Sequence, residues 1–319
     1  MQVIRVNISP YQRADFIAQE KSALEKLPGI DYRSLEDFNS DQELVLITNT
    51  HTRLAKLPKE LLSRTRLILH PNSGYDHFAE DRSLWEGITT VIGHEIRAQA
   101  VAEYSLGCLF QGMLELPQHL IWDKNRNWER PLLKDQKVLV FGYGHIGKKV
   151  ADTLATLGMK VTVIDPYISQ CPHNLVQVWS RDLVKEARAV LVCSSLNSTS
   201  RKLFNKDFFN ELSPEALFIN GARGPLVDEA ALKVFLLNNP RAYAFLDVFE
   251  EEPFQEEWVN FPQVWKTSHI AGVHKDLDQG IIDFEYKVLQ DYLSLDTKNF
   301  NQKYQHELLQ MKWKQGELI

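Results

Sequence analysis

The chain has 319 residues, of which 44% are hydrophobic and 24% charged, a composition typical of globular proteins and a length sufficient for two domains. Its 36 basic and 42 acidic residues give a net charge of -6 without long single-sign blocks, which argues against nucleic-acid or membrane partners and favours a small-molecule ligand. The three cysteines, Cys108, Cys171 and Cys193, form no CxxC pair, so neither a disulfide framework nor a metal site is expected. This use of cysteine and an N-terminus unlike a signal peptide together predict a cytoplasmic protein.

Short β-rich runs alternate with helical stretches over the first 95 residues, which predicts a small parallel sheet. The runs are VIRVNI, LVLIT, LILH and ITTVI, and the helical stretches are DFIAQEKSALEKL and RLAKLPKELLSR. Residues 98–116 carry apolar side chains at helical spacing up to Pro117 and predict a long, largely buried helix. A polar connector follows at 123–136.

The alternation resumes after the connector, and its near-continuous apolar runs are typical of strands covered on both faces. These runs are KVLVF, KVTVI, AVLVCS, ALFINGA, AYAFLDV and VWKTSH. From about Lys275 the pattern is helical. The tail from 303 to 319 mixes charges with Leu308, Leu309, Met311 and Trp313, and its simplest interpretation is an amphipathic helix.

Three glycines in a GxGxxG pattern lie between the strand KVLVF and a helix predicted at 146–157, which Gly158 would cap. In a dinucleotide-binding turn the first glycine permits the turn, the second lets the backbone approach the pyrophosphate, and the third lets helix and strand pack closely. The helix N-terminus would face the phosphates. The candidate residues in this turn are Gly142, Gly144, His145, Ile146 and Gly147.

The next strand, KVTVI, ends at Asp165, 18 residues after Gly147. A carboxylate there would accept hydrogen bonds from the adenosine ribose and repel the extra phosphate of NADP, so the pattern predicts NAD. The alternative is a turn with a purely structural role.

Polar residues follow the later strands, where ligands of parallel sheets bind. They are Ser194, Ser195, Asn220, Ala222, Arg223, Asp247 and His269. Each also has an ordinary interpretation: His269 as a hydrogen-bonded histidine, Arg223 as a solvated charge, and Glu252 as part of an acidic run. Their joint position at one rim favours a functional site.

Several segments together resemble the NAD-dependent D-isomer-specific 2-hydroxyacid dehydrogenases. NGARG at 220–224 resembles the segment with the family's substrate arginine, DVFEEEP at 247–253 the motif whose catalytic glutamate precedes a proline, and SHIAG at 268–272 the segment with the catalytic histidine. NSGYDHF at 72–78 resembles the substrate loop, and AVAEYSLGCL resembles the helix that enters the cofactor domain. The resemblance covers nearly the whole chain.

The chain departs from the family pattern in a few places. Ser195 and Ser268 replace common prolines, and Ala271 replaces a glycine. TNTHTR at 48–53 lacks the Arg-Ser-x-Thr loop of phosphoglycerate dehydrogenases, which argues against that substrate. Formate dehydrogenases carry glutamine in the place of Glu252, which argues against that activity.

The resemblance implies an α/β protein with two parallel sheets: a Rossmann-type NAD-binding domain at 97–273, inserted into a smaller flavodoxin-like substrate domain at 1–96 and 274–319. It implies hydride transfer between NAD(H) and a D-2-hydroxy acid or 2-keto acid, and a homodimer with the 98–114 helix near its interface. Arg223 would bind the substrate carboxylate together with the backbone of Ser73 and Gly74.

The resemblance implies three catalytic side chains, Arg223, Glu252 and His269. Arg223 would also polarise the substrate carbonyl, His269 would exchange the proton, and Glu252 would orient the His269 ring. Asp247 would meet the nicotinamide carboxamide of the cofactor. Two other functions remain open: a non-enzymatic NAD-sensing corepressor and an S-adenosylmethionine-dependent methyltransferase. The latter leaves Arg223, Glu252 and His269 without a role.

Three further histidines, His70, His77 and His94, are interpreted as packing residues rather than metal ligands, because no i, i+4 ligand pair accompanies them. His70 could still line the substrate pocket.

Overall fold

The computed structural model describes residues 1–39, 41–115, 120–126, 130–254, 256–314 and 317–319. The chain divides into two compact units. The terminal unit consists of Met1–Arg97 and Val273–Ile319, and the central unit of Ala98–Gly272. The assignment of these units as a substrate domain and an inserted NAD-binding domain with boundaries at 96/97 and 273/274 stays a prediction.

The terminal unit begins with alternating strands and helices. They are β1 (Gln2–Arg5), α1 (Phe16–Leu24), β2 (Asp31–Arg33), β3 (Leu44–Ile47), α2 (Lys59–Arg64), β4 (Thr65–His70), α3 (Arg82–Trp85) and β5 (Thr89–Ile92). Within the described residues the strands form one parallel sheet in the order β2-β1-β3-β4-β5. This is the flavodoxin-like order, and the predicted parallel sheet is confirmed.

Helix α4 (His94–Met113) begins four residues before the predicted start and runs from the terminal into the central unit. Its last predicted residue, Leu116, lies outside the described residues. Ala102, Leu109 and Met113 are buried in the core of the central unit, so the expected burial is confirmed. In the described part of the chain, no helix has the length and apolarity required to cross a bilayer.

The central unit continues the strand and helix alternation. Its elements are β6 (Lys137–Phe141), α5 (His145–Thr156), β7 (Lys160–Ile164), β8 (Asn174–Val176), α6 (Arg181–Glu186), β9 (Ala189–Val192), α7 (Lys206–Glu211), β10 (Leu217–Asn220), α8 (Glu229–Asn238), β11 (Tyr243–Leu246) and β12 (Val264–Lys266). Within the described residues the sheet is wholly parallel, in the order β12-β11-β10-β9-β6-β7-β8. The strand order reverses between β6 and β9, where sheets of this kind bind ligands.

Both faces of the central sheet are covered, as the continuous apolar runs predicted. Along β6, Leu139 and Phe141 belong to one core cluster, and Val138 and Val140 belong to the other. Successive side chains of a strand point to opposite faces of the sheet, so a strand that is buried on both faces carries apolar side chains at every position. The predicted α/β class with two parallel sheets is confirmed.

After the central unit the chain returns through α9 (Leu277–Ser294) and α10 (Thr297–Lys303) and ends in the two-residue strands β13 (Trp313–Lys314) and β14 (Glu317–Leu318). The predicted amphipathic helix at the end is therefore wrong. Leu308 instead forms an antiparallel bridge with Val91, and the Ile92 N–H donates to the Glu307 carbonyl at 2.9 Å. The tail thus covers the open edge of β5, whose backbone groups need partners.

Candidate active site

The turn between β6 and α5 is shaped by two glycines that no larger residue could replace without movement of the backbone. Gly142 has φ +91°, and a Cβ built on it would lie 2.8 Å from the Cys193 carbonyl oxygen. A Cβ on Gly147 would overlap the Gly142 carbonyl oxygen and lie 2.9 Å from its carbon. These contacts hold the start of α5 against β6 and the end of β9. The first and third glycines therefore act as the sequence pattern predicted.

The middle glycine has a different environment. A Cβ built on Gly144 would meet no heavy atom within 4 Å, and the residue is exposed at the N-cap of α5. No side chain caps this helix end, whose first N–H groups have no partners within the helix. His145 and Ile146 form its first turn. The open space and the positive end of the helix dipole suit a pyrophosphate, so these residues fit a dinucleotide.

Asp165 stands directly after β7 and is hydrogen-bonded to the glycine turn. Its Oδ2 accepts from the Tyr143 N–H and its Oδ1 from the Tyr167 N–H, both at 2.8 Å. A carboxylate has about four acceptor positions, so two remain for a ribose. Asp165 therefore also holds the backbone of the turn, a role that the sequence pattern did not indicate.

The sequence analysis missed a hydrogen-bonded cluster of Tyr143, Asp152 and His173 beside this turn. The Asp152 Oδ1 atom lies 2.7 Å from His173 Nε2 and accepts from the Tyr143 hydroxyl at 3.2 Å. Burial, followed by the charge of Asp152, raises the pKa of Tyr143 to about 12, so this phenol stays protonated. Tyr143 occupies a variable position of the glycine pattern, and His173, whose ring packs against it, lies 30 residues away, so no local signal joins them.

The segments after β9 and β10 contribute several predicted cofactor residues. The Ser194 Oγ is buried without a hydrogen-bond partner among the described residues, whereas Ser195 is exposed. The side chain of Asn220 donates to the Arg223 carbonyl at 3.0 Å and accepts from the Ala222 N–H at 3.1 Å. Asn220 therefore fixes the path of the chain towards Arg223.

Arg223 is half-buried, and its Nη1 donates to the Ala222 carbonyl at 2.8 Å. The next residue, Gly224, packs so closely against the segment that leads to Glu252 that a Cβ on it would overlap the Phe249 carbonyl. This close backbone approach holds the arginine and glutamate segments together.

Asp247, at the end of β11, is 1% exposed and holds the histidine segment. Its Oδ1 accepts from Thr267 Oγ1 at 2.6 Å and from the Ile270 N–H at 2.8 Å, and its Oδ2 accepts from the Ala271 N–H at 2.8 Å. The His269 N–H donates to the Asp247 carbonyl at 2.9 Å. Three of the four acceptor positions of the carboxylate are thus used by the protein.

His269 and Glu252 form a direct pair, with His269 Nδ1 and Glu252 Oε2 2.9 Å apart. Their side chains are 52% and 40% exposed. Glu252 also accepts from the Phe249 N–H at 3.2 Å. Burial by itself would raise the pKa of Glu252, but the hydrogen bond and charge of His269 outweigh it, and the pKa lies below its usual value. An ionised Glu252 fixes the proton on Nδ1 and leaves Nε2 as the nitrogen that exchanges protons.

His269 also has a left-handed backbone, with φ +55°. This conformation is uncommon for residues other than glycine, and it persists only where the surroundings impose it. The hydrogen bonds that Asp247 accepts from Thr267 before His269 and from Ile270 and Ala271 after it supply that constraint.

Ser73 and Gly74, the predicted substrate-binding residues, belong to the terminal unit, whereas Arg223, Glu252 and His269 belong to the central unit. The Ser73 hydroxyl donates to the His94 carbonyl at 3.3 Å.

His70, His77 and His94 make packing contacts within the terminal unit. His70 Nε2 lies 2.9 Å from the Gly74 carbonyl oxygen, and its Nδ1 lies 2.9 Å from Thr48 Oγ1. His77 packs against the His70 ring, and His94 packs against Tyr75. No group of three potential ligands suited to a metal occurs among the residues described.

Residues 110–271 match the sequence profile of the D-isomer specific 2-hydroxyacid dehydrogenase NAD-binding domain. This match covers just over half of the chain, including every predicted cofactor residue and all three predicted catalytic side chains. The chain belongs to the D-isomer specific 2-hydroxyacid dehydrogenase family. Its central unit carries the family's NAD-binding domain.

Curated relatives within this family act on different substrates. The chain is 27% identical over 240 residues to a D-3-phosphoglycerate dehydrogenase of Bacillus subtilis (strain 168), covering 72% of this chain and 46% of that protein. It is 33% identical over 207 residues to an erythronate-4-phosphate dehydrogenase of Acinetobacter baumannii, covering 62% and 53%. The chain thus spans about half the length of these relatives.

The fold is also that of solved members of the family. The structure of D-lactate dehydrogenase from Aquifex aeolicus, complexed with NAD and lactic acid, superposes with a TM-score of 0.73 at 18% identity and covers 97% of this chain and 99% of that one. At this identity the similarity establishes the fold and leaves the substrate open.

Proposed function

We propose that this chain is an NAD-dependent oxidoreductase that transfers a hydride between NAD(H) and a D-2-hydroxy acid or the corresponding 2-keto acid. The observation that carries the proposal is the hydrogen-bonded pair of His269 and Glu252, half-exposed in the unit that carries the NAD-binding domain. Neither the corepressor nor the methyltransferase alternative gains support from the family assignment.

The proposed mechanism assigns one role to each side chain. Bound NADH would supply the hydride. His269 Nε2 would donate a proton to the carbonyl oxygen of a keto acid and take it back in the reverse direction. Glu252, at Nδ1, would keep the ring oriented and favour its protonated form. Arg223 would bind the substrate carboxylate through its planar guanidinium, which lysine cannot reproduce. Ser73 and Gly74 are proposed to add backbone N–H groups to the same carboxylate.

Absorbance at 340 nm during a screen of 2-keto acids with NADH tests the activity. With an accepted substrate, His269→Ala should lower turnover by about 100- to 10,000-fold, the usual contribution of a general acid–base. Arg223→Lys should both raise the apparent KM and slow turnover. His306→Ala is the matched control, because His306 is exposed and belongs to the terminal unit. Near-normal turnover of His269→Ala, with NADH binding intact by fluorescence, would show that another group donates the proton.

We further propose that Asp165 makes the protein prefer NAD to NADP. Asp165→Ser should remove acceptors for the ribose and reduce repulsion of a 2′-phosphate, so the ratio of NADPH to NADH affinity should rise. Absolute NADH affinity should also fall, because Asp165 holds the Tyr143 N–H in the turn. Fluorescence titration with both cofactors measures the two effects. Equal affinity of the unmodified protein for NADH and NADPH would contradict the assignment.

A cytoplasmic homodimer is proposed as the working state. The outward positions of α4 are largely polar, with Glu95, Gln99 and Glu103 exposed. Large exposed apolar side chains instead occur just beyond the helix, where Leu120, Ile121 and Trp122 are 82% to 84% exposed. An apolar run of this kind is typical of a surface that another chain covers. Sedimentation of the wild type and of a Trp122→Ser variant tests this, and a monomeric wild type would contradict it.

A further inference from the structure

A cavity of about 400 Å³ lies wholly within the terminal unit, where the segment after β1 meets the start of α9. Its polar lining consists of Tyr11, Arg13, His274, Lys275 and Asp278. These residues were not part of the predicted site. The cavity is therefore a second candidate binding site, and its charges indicate what it would bind.

Arg13 and Asp278 form the frame of the cavity. The Arg13 Nε lies 3.3 Å from Asp278 Oδ2, the Arg13 N–H donates to the same oxygen at 3.1 Å, and the guanidinium donates to the Lys275 carbonyl at 2.9 Å. Asp278 is buried, so its charge is largely used in holding Arg13. The pair fixes the geometry and contributes little net charge.

Lys275 supplies a positive charge that this frame does not neutralise. It is exposed, and it forms no ion pair with any residue in the described part of the chain. Lys275 stands two residues before α9, an 18-residue helix whose N-cap residue, Asp276, makes no side-chain cap. The N–H groups of the first turn therefore add a partial positive charge at the same place.

A second positive charge lies behind the cavity wall. Arg97 is 7% exposed, and the acceptors of its hydrogen bonds within the described chain are neutral: the Pro71 carbonyl and, at 2.7 Å, the Tyr11 hydroxyl. Burial lowers the pKa of Arg97, although a guanidinium remains charged at neutral pH. The charge of Asp278 also acts on Arg97, but no carboxylate accepts a hydrogen bond from it in the described chain, and a buried cation held in this way is costly. Because the Tyr11 oxygen accepts from Arg97, its O–H remains available to donate within the cavity that Tyr11 lines.

The charges around the cavity are positive in sum. Arg13, Lys275 and Arg97 contribute three positive charges and Asp276 and Asp278 two negative charges, which leaves one positive charge, His274 not counted. We propose that the cavity is an oxyanion site that binds a carboxylate or phosphate group of a small molecule through Lys275, the Tyr11 hydroxyl and the first turn of α9. The group could belong to a substrate with a second anionic end or to a separate effector.

Amide NMR spectra of the full chain test binding directly, with inorganic phosphate and acetate as probes. The protein is saturated with NAD⁺, so that phosphate does not report on the glycine turn. The Asp278 and Gln279 amides should shift saturably, beyond the shift given by chloride at equal ionic strength. Lys275→Gln should weaken phosphate binding by about three- to tenfold, as expected for loss of one charged hydrogen bond near solvent. Tyr11→Phe should also weaken it.

Lys287→Gln is the matched control, because Lys287 is an exposed lysine further along α9, and it should bind phosphate like the wild type. Shifts no larger than those from chloride, or equal affinity in Lys275→Gln and Lys287→Gln, would overturn the site.

Kinetics then identify the source of the anion, and this step rests on the proposed function. If the anion is part of the substrate, Lys275→Gln should raise the KM for 2-oxoglutarate by about three- to tenfold and leave that for pyruvate unchanged. If the anion is a separate effector, Lys275→Gln should change the KM values for 2-oxoglutarate and pyruvate by the same factor. Added phosphate should then shift both KM values in the wild type but not in Lys275→Gln. A protein inactive on every keto acid would count against the proposed function and would leave the NMR result intact.

Discussion

The substitution Asp247→Asn tests how the candidate histidine is held. The three donors to Asp247, from Thr267, Ile270 and Ala271, require acceptors at both carboxylate oxygens. An asparagine offers one oxygen and one NH₂ group, and the NH₂ group would face an N–H or O–H donor. If the asparagine oxygen faces Thr267 and Ile270, its NH₂ group faces Ala271, and the Ala271 N–H loses its acceptor.

The expected cost follows from these contacts. A hydrogen bond to a charged group contributes about 1.5 to 3 kcal/mol, and the two remaining bonds weaken when their acceptor is no longer ionised. The site is 1% exposed, so water cannot replace the lost partner. We expect a loss of about 2 to 4 kcal/mol, part of which will be local opening of the 267–271 segment.

Urea unfolding and steady-state turnover measure the two consequences. Asp247→Asn should lower the unfolding midpoint and turnover together, because His269 loses its imposed backbone conformation. Asp41→Asn is the control: Asp41 is exposed, and its change should stay within about 0.5 kcal/mol. NADH affinity should change little if Asp247 acts only through the segment, and it should fall if Asp247 also binds the carboxamide. A wild-type midpoint with normal turnover would refute the structural role.

Three further outcomes are expected. Gly147→Ala should weaken NADH binding and lower stability by about 1 to 3 kcal/mol, since its Cβ would overlap the Gly142 carbonyl; unchanged fluorescence titration and melting would contradict this. Glu252→Gln should lower turnover, because His269 loses the carboxylate that orients its ring. Since the pKa of Glu252 is lowered on folding, the wild type should lose the stabilisation from this pair as the pH falls below about 4.5, whereas Glu252→Gln should not. Burial and the charge of Glu20 raise the pKa of Glu285 well above 4.5, so the folded state retains a proton that the unfolded chain releases. The stability of the wild type should therefore fall relative to that of Glu285→Gln as the pH rises from 4.5 towards neutrality. Urea midpoints of the two proteins that change in parallel with pH would contradict this.

The sequence by itself predicted the features that depend on local pattern. The apolar runs before Gly142 and Asp247 indicated strands buried on both faces, and the structure places them in one parallel sheet. The spacing of Gly142, Gly144 and Gly147 predicted the turn, because Gly142 and Gly147 each meet a local steric requirement and Gly144 leaves open space at the start of the helix. Parallel strands have their carboxyl ends at one edge of a sheet, so the strand pattern alone assigns the residues that follow these strands to one rim.

Only the tertiary structure decided the features that depend on partners distant in the chain. The tail has helical spacing around Leu309, yet Leu308 pairs with Val91, because the open edge of β5 offers backbone hydrogen bonds that a surface helix would not satisfy. The cofactor role of Asp247 stays a prediction, and only the structure shows that its carboxylate also accepts from three donors of the histidine segment. That Arg97 donates to the neutral hydroxyl of Tyr11, 86 residues away, is visible only in the structure. Periodicity reports which face of an element is buried, whereas the identity of a buried polar group's partner depends on how the whole chain packs.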